Sequence, residues 1–147
     1  MRNTVLALLI VVLPARAQAD RPVEEQIIGV WQMDPRTLES PGITFYQEEG
    51  TVSIMERMPD GTFRVISRVT TRAVAETADL MFRPGCIGKK ECIYDDATEG
   101  VGTLLSADRL YIDWLDDEGW IDDLLEIDGN VMTGDDGNGP IRLVKEE

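Results

Sequence analysis

The chain contains two cysteines and 28 carboxylates but no histidine, and this combination limits the chemistry that its side chains can do. Without histidine, Ser-His-Asp and Cys-His triads, the usual zinc sites and His-Glu-x-x-His metalloproteases are excluded. The sequence also lacks a phosphate-binding glycine loop with Lys and Ser/Thr behind it. Catalysis by carboxylates remains open, although the abundance of acids makes any chosen pair unspecific. We therefore predict no cofactor and no metal site.

The N-terminus predicts the compartment in which the two cysteines act. A short basic start precedes the unbroken apolar run Val5–Leu13, and Ala17-Gln18-Ala19 is a small-x-small cleavage site. This is the pattern of a secretory signal peptide, and the apolar run is too short for a membrane span, which needs about 20 residues. We expect residues 1–19 to be removed and residues 20–147 to form a single domain without membrane insertion. Its location is then periplasmic in a Gram-negative bacterium and otherwise secreted.

In an exported protein the pair Cys86 and Cys92 indicates a disulfide. The spacing C-x5-C, without histidine or further cysteines, is unsuited to a metal site. The loop that it closes is short, so the chain-entropy model gives a stabilisation of roughly 2 kcal/mol. Lys89 and Lys90 lie between the cysteines, either as solvated charges or as part of a recognition loop.

Charge is unevenly distributed along the chain. The net charge is -14, and removal of residues 1–19, which contain two arginines, brings it to about -16. Residues 93–141 contain fourteen acids and a single base, Arg109. Such a field repels nucleic acid and anionic lipid, because both bind cationic surfaces. The acids either form a solvated surface or attract a basic partner or divalent cations.

Alternating apolar and polar residues, separated by turn residues, predict mostly strands. One helical turn is expected at Pro22–Gln26, because proline suits a first helical position and acids suit the first turn. The predicted strands are Ile27–Asp34, Ile43–Glu48, Thr51–Met58, Thr62–Thr71, Ala78–Arg83, Glu91–Asp95, Val101–Ser106, Arg109–Leu115, Trp120–Ile127, Val131–Thr133 and Ile141–Lys145. The Ala-rich segment Arg72–Asp79 is either strand or helix. Short strands joined by Gly-containing turns indicate an antiparallel sandwich or barrel.

Glu49-Gly50, Asp60-Gly61 and Glu99-Gly100 are among the predicted turns. A two-residue type I′ turn at Asp60-Gly61 gathers the apolar residues of both flanking strands on one face. That face contains Val52, Ile54, Met58, Phe63, Val65 and Val69. A three-residue turn scatters them, and burial of several large side chains outweighs one surface ion pair. The two-residue register places Glu56 on the apolar face.

The hairpin Arg109–Ile127 has a similar apolar face, which includes Trp114 and, among its apolar residues, Asp123. Its opposite face contains large apolar side chains among acids, which makes it a candidate partner surface. These residues are Tyr111, Leu115, Trp120 and Leu124.

Glu56 and Asp123 are the acids that these faces direct inward. They either lie near strand ends and reach solvent, or line a cavity mouth and orient a polar or cationic part of a ligand. Phe63 and Trp114, on the same apolar faces, complete the predicted ligand-binding residues.

Gly29-Val30-Trp31 on the first strand and Arg142 on the last resemble the lipocalin and wider calycin pattern. In that pattern the tryptophan packs against an arginine of the last strand and closes an up-and-down barrel. The resemblance implies an all-β fold: an antiparallel up-and-down barrel, a lipocalin-like meander of about 8–10 short strands with one short N-terminal helical turn. The alternative is that Trp31 is an ordinary core residue and Arg142 an ordinary surface residue.

The function expected first is an exported, non-enzymatic barrel that binds a small apolar or amphipathic ligand. The alternative is a protein–protein interaction module, such as a periplasmic protease inhibitor or an envelope-assembly component. Small exported metalloprotease inhibitors are similar to this chain in leader, Gly-x-Trp strand, barrel and disulfide. A carboxylate-based enzyme is the least favoured function. A filled barrel interior argues against the first function, and an apolar pocket with a few polar groups supports it.

Overall fold

The computed structural model describes residues 21–115 and 123–147. The predicted leader and Trp120 lie outside these residues. The described elements are α1 (Val23–Gln26), β1 (Gly29–Met33), β2 (Arg36–Ser40), β3 (Ile43–Arg57), β4 (Phe63–Ala75), β5 (Glu91–Ser106), β6 (Arg109–Trp114), β7 (Asp123–Asp128), β8 (Val131–Asp135) and β9 (Pro140–Lys145).

Strand β1 closes the sheet into a barrel, because it pairs with β3 on one edge and with β9 on the other. From β3 to β9 each strand pairs with the next in the chain, and all pairings are antiparallel. The ring contains eight strands, β1 and β3 to β9. The predicted all-β antiparallel barrel with one short helical turn is therefore confirmed.

Strand β2 was not predicted. It follows β1 in the chain and, like β1, pairs with β3. β1 pairs with Thr51–Ile54 of β3, and β2 pairs with Ile43–Gln47. The break between β1 and β2 contains Pro35, which has no N–H to donate to a ladder. Beyond the break, β2 no longer runs beside β9 and pairs only with β3. The end of the barrel that contains β2, called the upper end, is therefore less completely closed than the opposite, lower end.

The main core fills the lower end of the barrel, where α1 and the β3–β4, β5–β6 and β7–β8 turns lie. Apolar side chains of the predicted inner faces are buried there, so both predicted apolar faces are confirmed in their centres. The buried members are Ile27, Trp31, Val52, Ile54, Phe63, Val65, Leu110, Ile112, Leu125, Met132, Ile141 and Leu143.

A second core lies at the upper end, because β3, β4 and β5 extend beyond their neighbours. The segment 76–90 between β4 and β5 folds over the inner face of this extension. Its buried residues are Ala73, Ala75, Leu80, Cys86 and Cys92. The disulfide predicted between Cys86 and Cys92 is confirmed, with a Cα–Cα distance of 5.4 Å. The predicted strand Ala78–Arg83 is wrong, and β4 ends at Ala75 without a following helix.

Two predicted turns are wrong because their glycines make room for side chains inside long strands. Glu49-Gly50 lies within β3, and Glu99-Gly100 lies within β5. A Cβ on Gly50 would lie 3.2 Å from the side chain of Met33. A Cβ on Gly100 would lie 2.7 Å from the indole of Trp114. Since neither glycine has a positive φ, close approach and not chain reversal explains both residues.

The type I′ turn predicted at Asp60-Gly61 is also wrong. Met58 N–H donates to Thr62 O at 2.7 Å, which makes a three-residue loop, and Gly61 alone in it has a positive φ, +87°. A type I′ turn needs positive φ at both central residues, whereas a three-residue loop needs it only at the last. Asp60 accepts hydrogen bonds from the Thr62 hydroxyl and N–H, which lower the pKa of Asp60.

A β-bulge keeps the apolar residues of β3 and β4 on one face although the turn has three residues and not two. The register shifts by one residue between Ile54 and Arg57, so Ile54 lies directly opposite Val65 and both side chains are on the same face. The inward face therefore keeps Ile54 and Val65 buried. Glu56 lies in the bulged segment and is exposed, so the prediction that it faces the interior is wrong.

At the lower end the fully buried Trp31 is held by the backbone and by Lys145. Its indole N–H donates to Ile27 O at 2.9 Å. Lys145 lies directly opposite Trp31 on β9, with Nζ 6.0 Å from the ring centroid and 2.5 Å from Gln26 O. Burial, followed by the charge of Arg21, lowers the pKa of Lys145.

The expected contact of Arg142 with Trp31 is wrong. Along β9, Ile141 and Leu143 are buried, so Arg142 between them points outward and pairs with Asp34 at 3.0 Å. Lys145 occupies the inward position instead. Gly29 has φ +141°, and a Cβ there would lie 3.0 Å from Lys145 Cε. Glycine is thus required both by its backbone and by the lysine stem.

Substitutions should distinguish the contributions of Lys145 and Arg142 to stability. We expect Trp31→Ala to lower the free energy of unfolding by about 3–5 kcal/mol. Lys145→Ala should lower it by about 1–2 kcal/mol, through the lost charged hydrogen bond and stem packing. Arg142→Ala should cost less than about 1 kcal/mol, as for exposed ion pairs. Urea denaturation measures all three, and an Arg142→Ala loss equal to that of Lys145→Ala would contradict this assignment.

The disulfide should stabilise the protein modestly, because it closes a short loop. We expect the double variant Cys86→Ala/Cys92→Ala to lose about 2 kcal/mol of unfolding free energy. Hydrogen exchange should accelerate in residues 76–90 before it does in the lower core. The control is a reducing agent, which should destabilise the wild type and leave the double variant unchanged. Uniform acceleration throughout the barrel would show that the second core is not a separate unit.

Candidate functional site

A cavity of about 60 Å³ lies between the two cores, inside the upper half of the barrel. Part of its wall is apolar and part is polar. The apolar side chains are Met33, Val52, Val69, Trp114 and Ile141, and the polar ones are Arg36, Gln47, Ser67, Asp96, Thr98, Asp123 and Asp136. Buried space and polar groups coincide at this site.

The strand register explains why polar residues occur at this level of the interior. Side chains of directly paired residues lie on the same face of a sheet. The pairing Val52–Ser67–Thr98 forms one inward row across β3, β4 and β5. The row above it contains Val69 and Asp96. The interior thus changes from apolar to polar directly above the main core, and becomes apolar again in the second core.

Arg36 ties three elements together at the cavity wall. Its Nη1 donates to Asp136 Oδ1 at 3.0 Å, and its Nη2 donates to Asp136 Oδ2. Its Nε donates to Gln47 Oε1 at 2.7 Å. The pair is largely shielded, with side-chain exposures of 13% and 16%. A bidentate guanidinium–carboxylate pair is geometrically specific, so β2, β3 and the β8–β9 turn are held in fixed relative positions.

Arg83 connects the segment 76–90 to the same cavity. It pairs with Asp96 at 2.8 Å, and its guanidinium carbon lies 4.3 Å from the ring centroid of Tyr94. Phe82 makes edge-to-face contacts with Phe45 at 5.7 Å and with Tyr94 at 5.8 Å. Burial, together with the nearby Asp96 carboxylate, raises the pKa of Tyr94. The segment therefore packs on the cavity wall as well as on the second core.

Of the four predicted ligand-binding residues, the structure brings two together. Trp114 and Asp123 both line the cavity, and Asp123 is only 6% exposed. Phe63 is 1% exposed within the lower core, and Glu56 is exposed near the lower end. The ligand-binding role of Trp114 and Asp123 stays a prediction.

Sequence reasoning missed Arg36, Asp96 and Asp136. Arg36 begins a strand that was not predicted, and Asp96 followed the predicted end of a strand. A signal existed for Asp96: if Gly100 is kept inside one long strand, Tyr94, Asp96 and Thr98 alternate onto a single face. Asp136 belongs to a turn, where the sequence gives no indication of an inward side chain.

Three residues of the predicted partner surface lie on the outer side of β6 and β7, and their role in binding a partner stays a prediction. Tyr111 and Leu124 are directly paired across the two strands. Leu124 and Leu115 are exposed, at 46% and 59%. Trp120 belongs to the predicted surface but lies outside the described residues. The loop lysine Lys90 donates to Thr77 O at 2.7 Å and pairs with Asp79 at 3.0 Å, so it stabilises the segment 76–90 itself.

Within residues 21–115 and 123–147, no group of three or more Cys, Asp or Glu residues is arranged to hold a metal ion. In the same part of the chain, no helix has the length and apolar character needed to cross a membrane. Comparison with models of protein families, with curated proteins and with solved structures found no match.

Gly100 sets the position of the Trp114 indole in the cavity wall, because a methyl group there would lie within 2.7 Å of it. We expect Gly100→Ala to displace the indole and lower the unfolding free energy by about 1–3 kcal/mol. Tryptophan fluorescence and urea denaturation measure the two effects. The matched control is Gly85→Ala, since Gly85 has open space around it and no positive φ. Equal effects of both variants would contradict this role of Gly100.

Proposed function

We propose that this protein is an exported, non-enzymatic binding protein whose ligand enters the cavity between the two cores. The observation that carries the proposal is the coexistence of an apolar floor and a polar rim inside a closed barrel. Binding sites for small molecules have this composition, with few polar groups that fix the orientation of the ligand. The expected ligand is a small apolar or amphipathic molecule.

The cavity volume limits the size of the ligand. Pockets for drug-sized molecules measure about 300–1,000 Å³, whereas this cavity measures about 60 Å³. It therefore accommodates a very small molecule, or the end group of a longer one that extends from the upper end of the barrel. A large lipid enclosed within the barrel is not compatible with the filled lower half.

The ion pairs of two of the three cavity carboxylates support binding over catalysis. Asp136 is held by Arg36, and Asp96 is held by Arg83. Carboxylates fixed in ion pairs act as stable recognition and positioning groups.

Export is supported by the leader pattern of residues 1–19 and by the disulfide, which is typical of oxidising compartments. A second candidate function is protein–protein interaction through the outer face of β6 and β7. The exposed Leu124 beside Tyr111, together with the exposed Leu115 after the end of β6, favours it.

Native mass spectrometry of the protein purified from its own host tests the proposal. We expect a retained small molecule in the wild type and its loss in Thr98→Phe, because a phenyl ring at this cavity-lining position fills the available space. The matched control is Thr103→Phe, which makes the same change on the exposed face of the same strand. Circular dichroism should show both variants folded.

A wild-type protein without a bound molecule, or a Thr98→Phe variant that retains it, would overturn the cavity as the binding site. A co-purifying protein that is lost when Leu124 is changed to Ser would favour the outer face of β6 and β7 instead.

A further inference from the structure

The charges that line the cavity are unequal in sign. Asp96, Asp123 and Asp136 contribute three carboxylates, and among the described lining residues Arg36 is the single base. All three acids come from residues 93–141, in which Arg109 is the only base among fourteen acids. Arg109 begins β6 at the lower end of the barrel, away from the cavity. Arg36 pairs with Asp136, and Arg83 behind the wall pairs with Asp96, so these five charged groups sum to one negative charge.

The surroundings of these charges strengthen their field. Met33, Val52, Val69 and Ile141 give the cavity an apolar floor. A cleft lined mainly by one sign of charge, with walls of low dielectric constant, concentrates the field and attracts ions of the opposite sign. The carboxylate of Asp123, at 6% exposure, lies where solvent screens it little. Cations are favoured over neutral molecules, and anions are disfavoured.

The wall also distinguishes an organic cation from a metal ion. The Trp114 indole lines the cavity, and aromatic rings attract alkylammonium groups within about 6 Å of the centroid. A metal ion needs several converging oxygen ligands, and no such carboxylate group occurs in the described residues. The apolar floor cannot replace those oxygens, but it can contact the carbon atoms of an alkylammonium ion.

The volume sets the size of such a cation. At about 10–15 Å³ for each water-sized group, the cavity has room for roughly four to six such groups. A short alkylammonium ion matches this space in size and carries both a charged nitrogen for the carboxylates and a carbon chain for the apolar floor.

We propose that the cavity selects small organic cations, with Asp123 and Trp114 as the residues that determine this specificity. The inference rests on the proposed binding function, since it names the chemical class of ligand for the same cavity. It requires a preference for positive charge among molecules of equal shape.

The test compares probes that differ mainly in charge: butylammonium, 1-butanol and butyrate, titrated into the full mature protein. Tryptophan fluorescence and nuclear magnetic resonance shifts of cavity residues report binding. We expect butylammonium to bind at least about tenfold more tightly than 1-butanol, and butyrate to bind more weakly than either. Added salt should reduce the preference for butylammonium, because it screens the charges at the cavity entrance. This comparison needs no variant and is independent of any effect of mutation on folding.

Variants then locate the source of the preference. Asp123→Asn should reduce butylammonium affinity about tenfold and reduce 1-butanol affinity by much less. The matched control, Asp113→Asn, removes the same charge from an exposed position on the outer face of β6 and should change neither affinity. Trp114→Leu should weaken butylammonium more than 1-butanol, because leucine retains apolar contact without an aromatic ring.

Equal affinity for butylammonium and 1-butanol would overturn the inference while leaving the proposed binding function intact. Preferential binding of butyrate, of calcium alone, or of none of the probes would also overturn it. A neutral or anionic molecule retained by the host-purified protein would overturn the cation class, whereas an empty cavity in that experiment would overturn the binding function itself.

Discussion

The pairing of β1 with two neighbours is the constraint on which the rest of the structure depends. Five residues, Gly29–Met33, convert a sheet with two open edges into a closed ring. Trp31 lies in this strand, so the buried indole fixes the strand to the core while both edges form ladders. Closure is made mainly at the lower end, which is also the end that apolar side chains fill. The upper end, where β2 leaves β9, retains space and polar groups.

The polar layer has a structural cost that its ion pairs offset. Burying a charged group without a partner is strongly unfavourable, whereas a bidentate pair with further hydrogen bonds recovers much of the loss. Arg36 and Asp136 meet these requirements between β2 and the β8–β9 turn. They also join the two ends of the sheet on the side where the backbone ladder is interrupted. The same contacts thus serve closure of the barrel and construction of the cavity wall.

The alternation of side chains along the strands could be predicted from the sequence, whereas the close approach of distant side chains to glycines could not. Apolar alternation predicted a sandwich or barrel and placed Trp114 and Asp123 on one inward face, because side-chain period is a local property of a strand. The choice of a barrel came from the resemblance of Gly29-Val30-Trp31 and Arg142 to the calycin pattern. Prediction failed at Gly50 and Gly100, since a glycine that makes room for a distant side chain resembles a turn glycine in one dimension. It failed for Arg142 because inward direction depends on strand register, which placed Lys145 opposite Trp31. Ion pairs such as Arg36–Asp136 join residues a hundred positions apart and leave no local pattern.

The disulfide in the segment 76–90 connects the structure of the cavity with the redox state of the compartments through which the chain passes. Residues 76–90 cover the second core, and Arg83 within them reaches the cavity acid Asp96. In a reducing cytosol the thiols of Cys86 and Cys92 stay separate, so this side of the cavity is less firmly held during synthesis. If the leader directs export as we propose, oxidation completes the cavity only after translocation. The protein would then mature empty and first meet ligands in its destination compartment, without carrying cytosolic metabolites across the membrane.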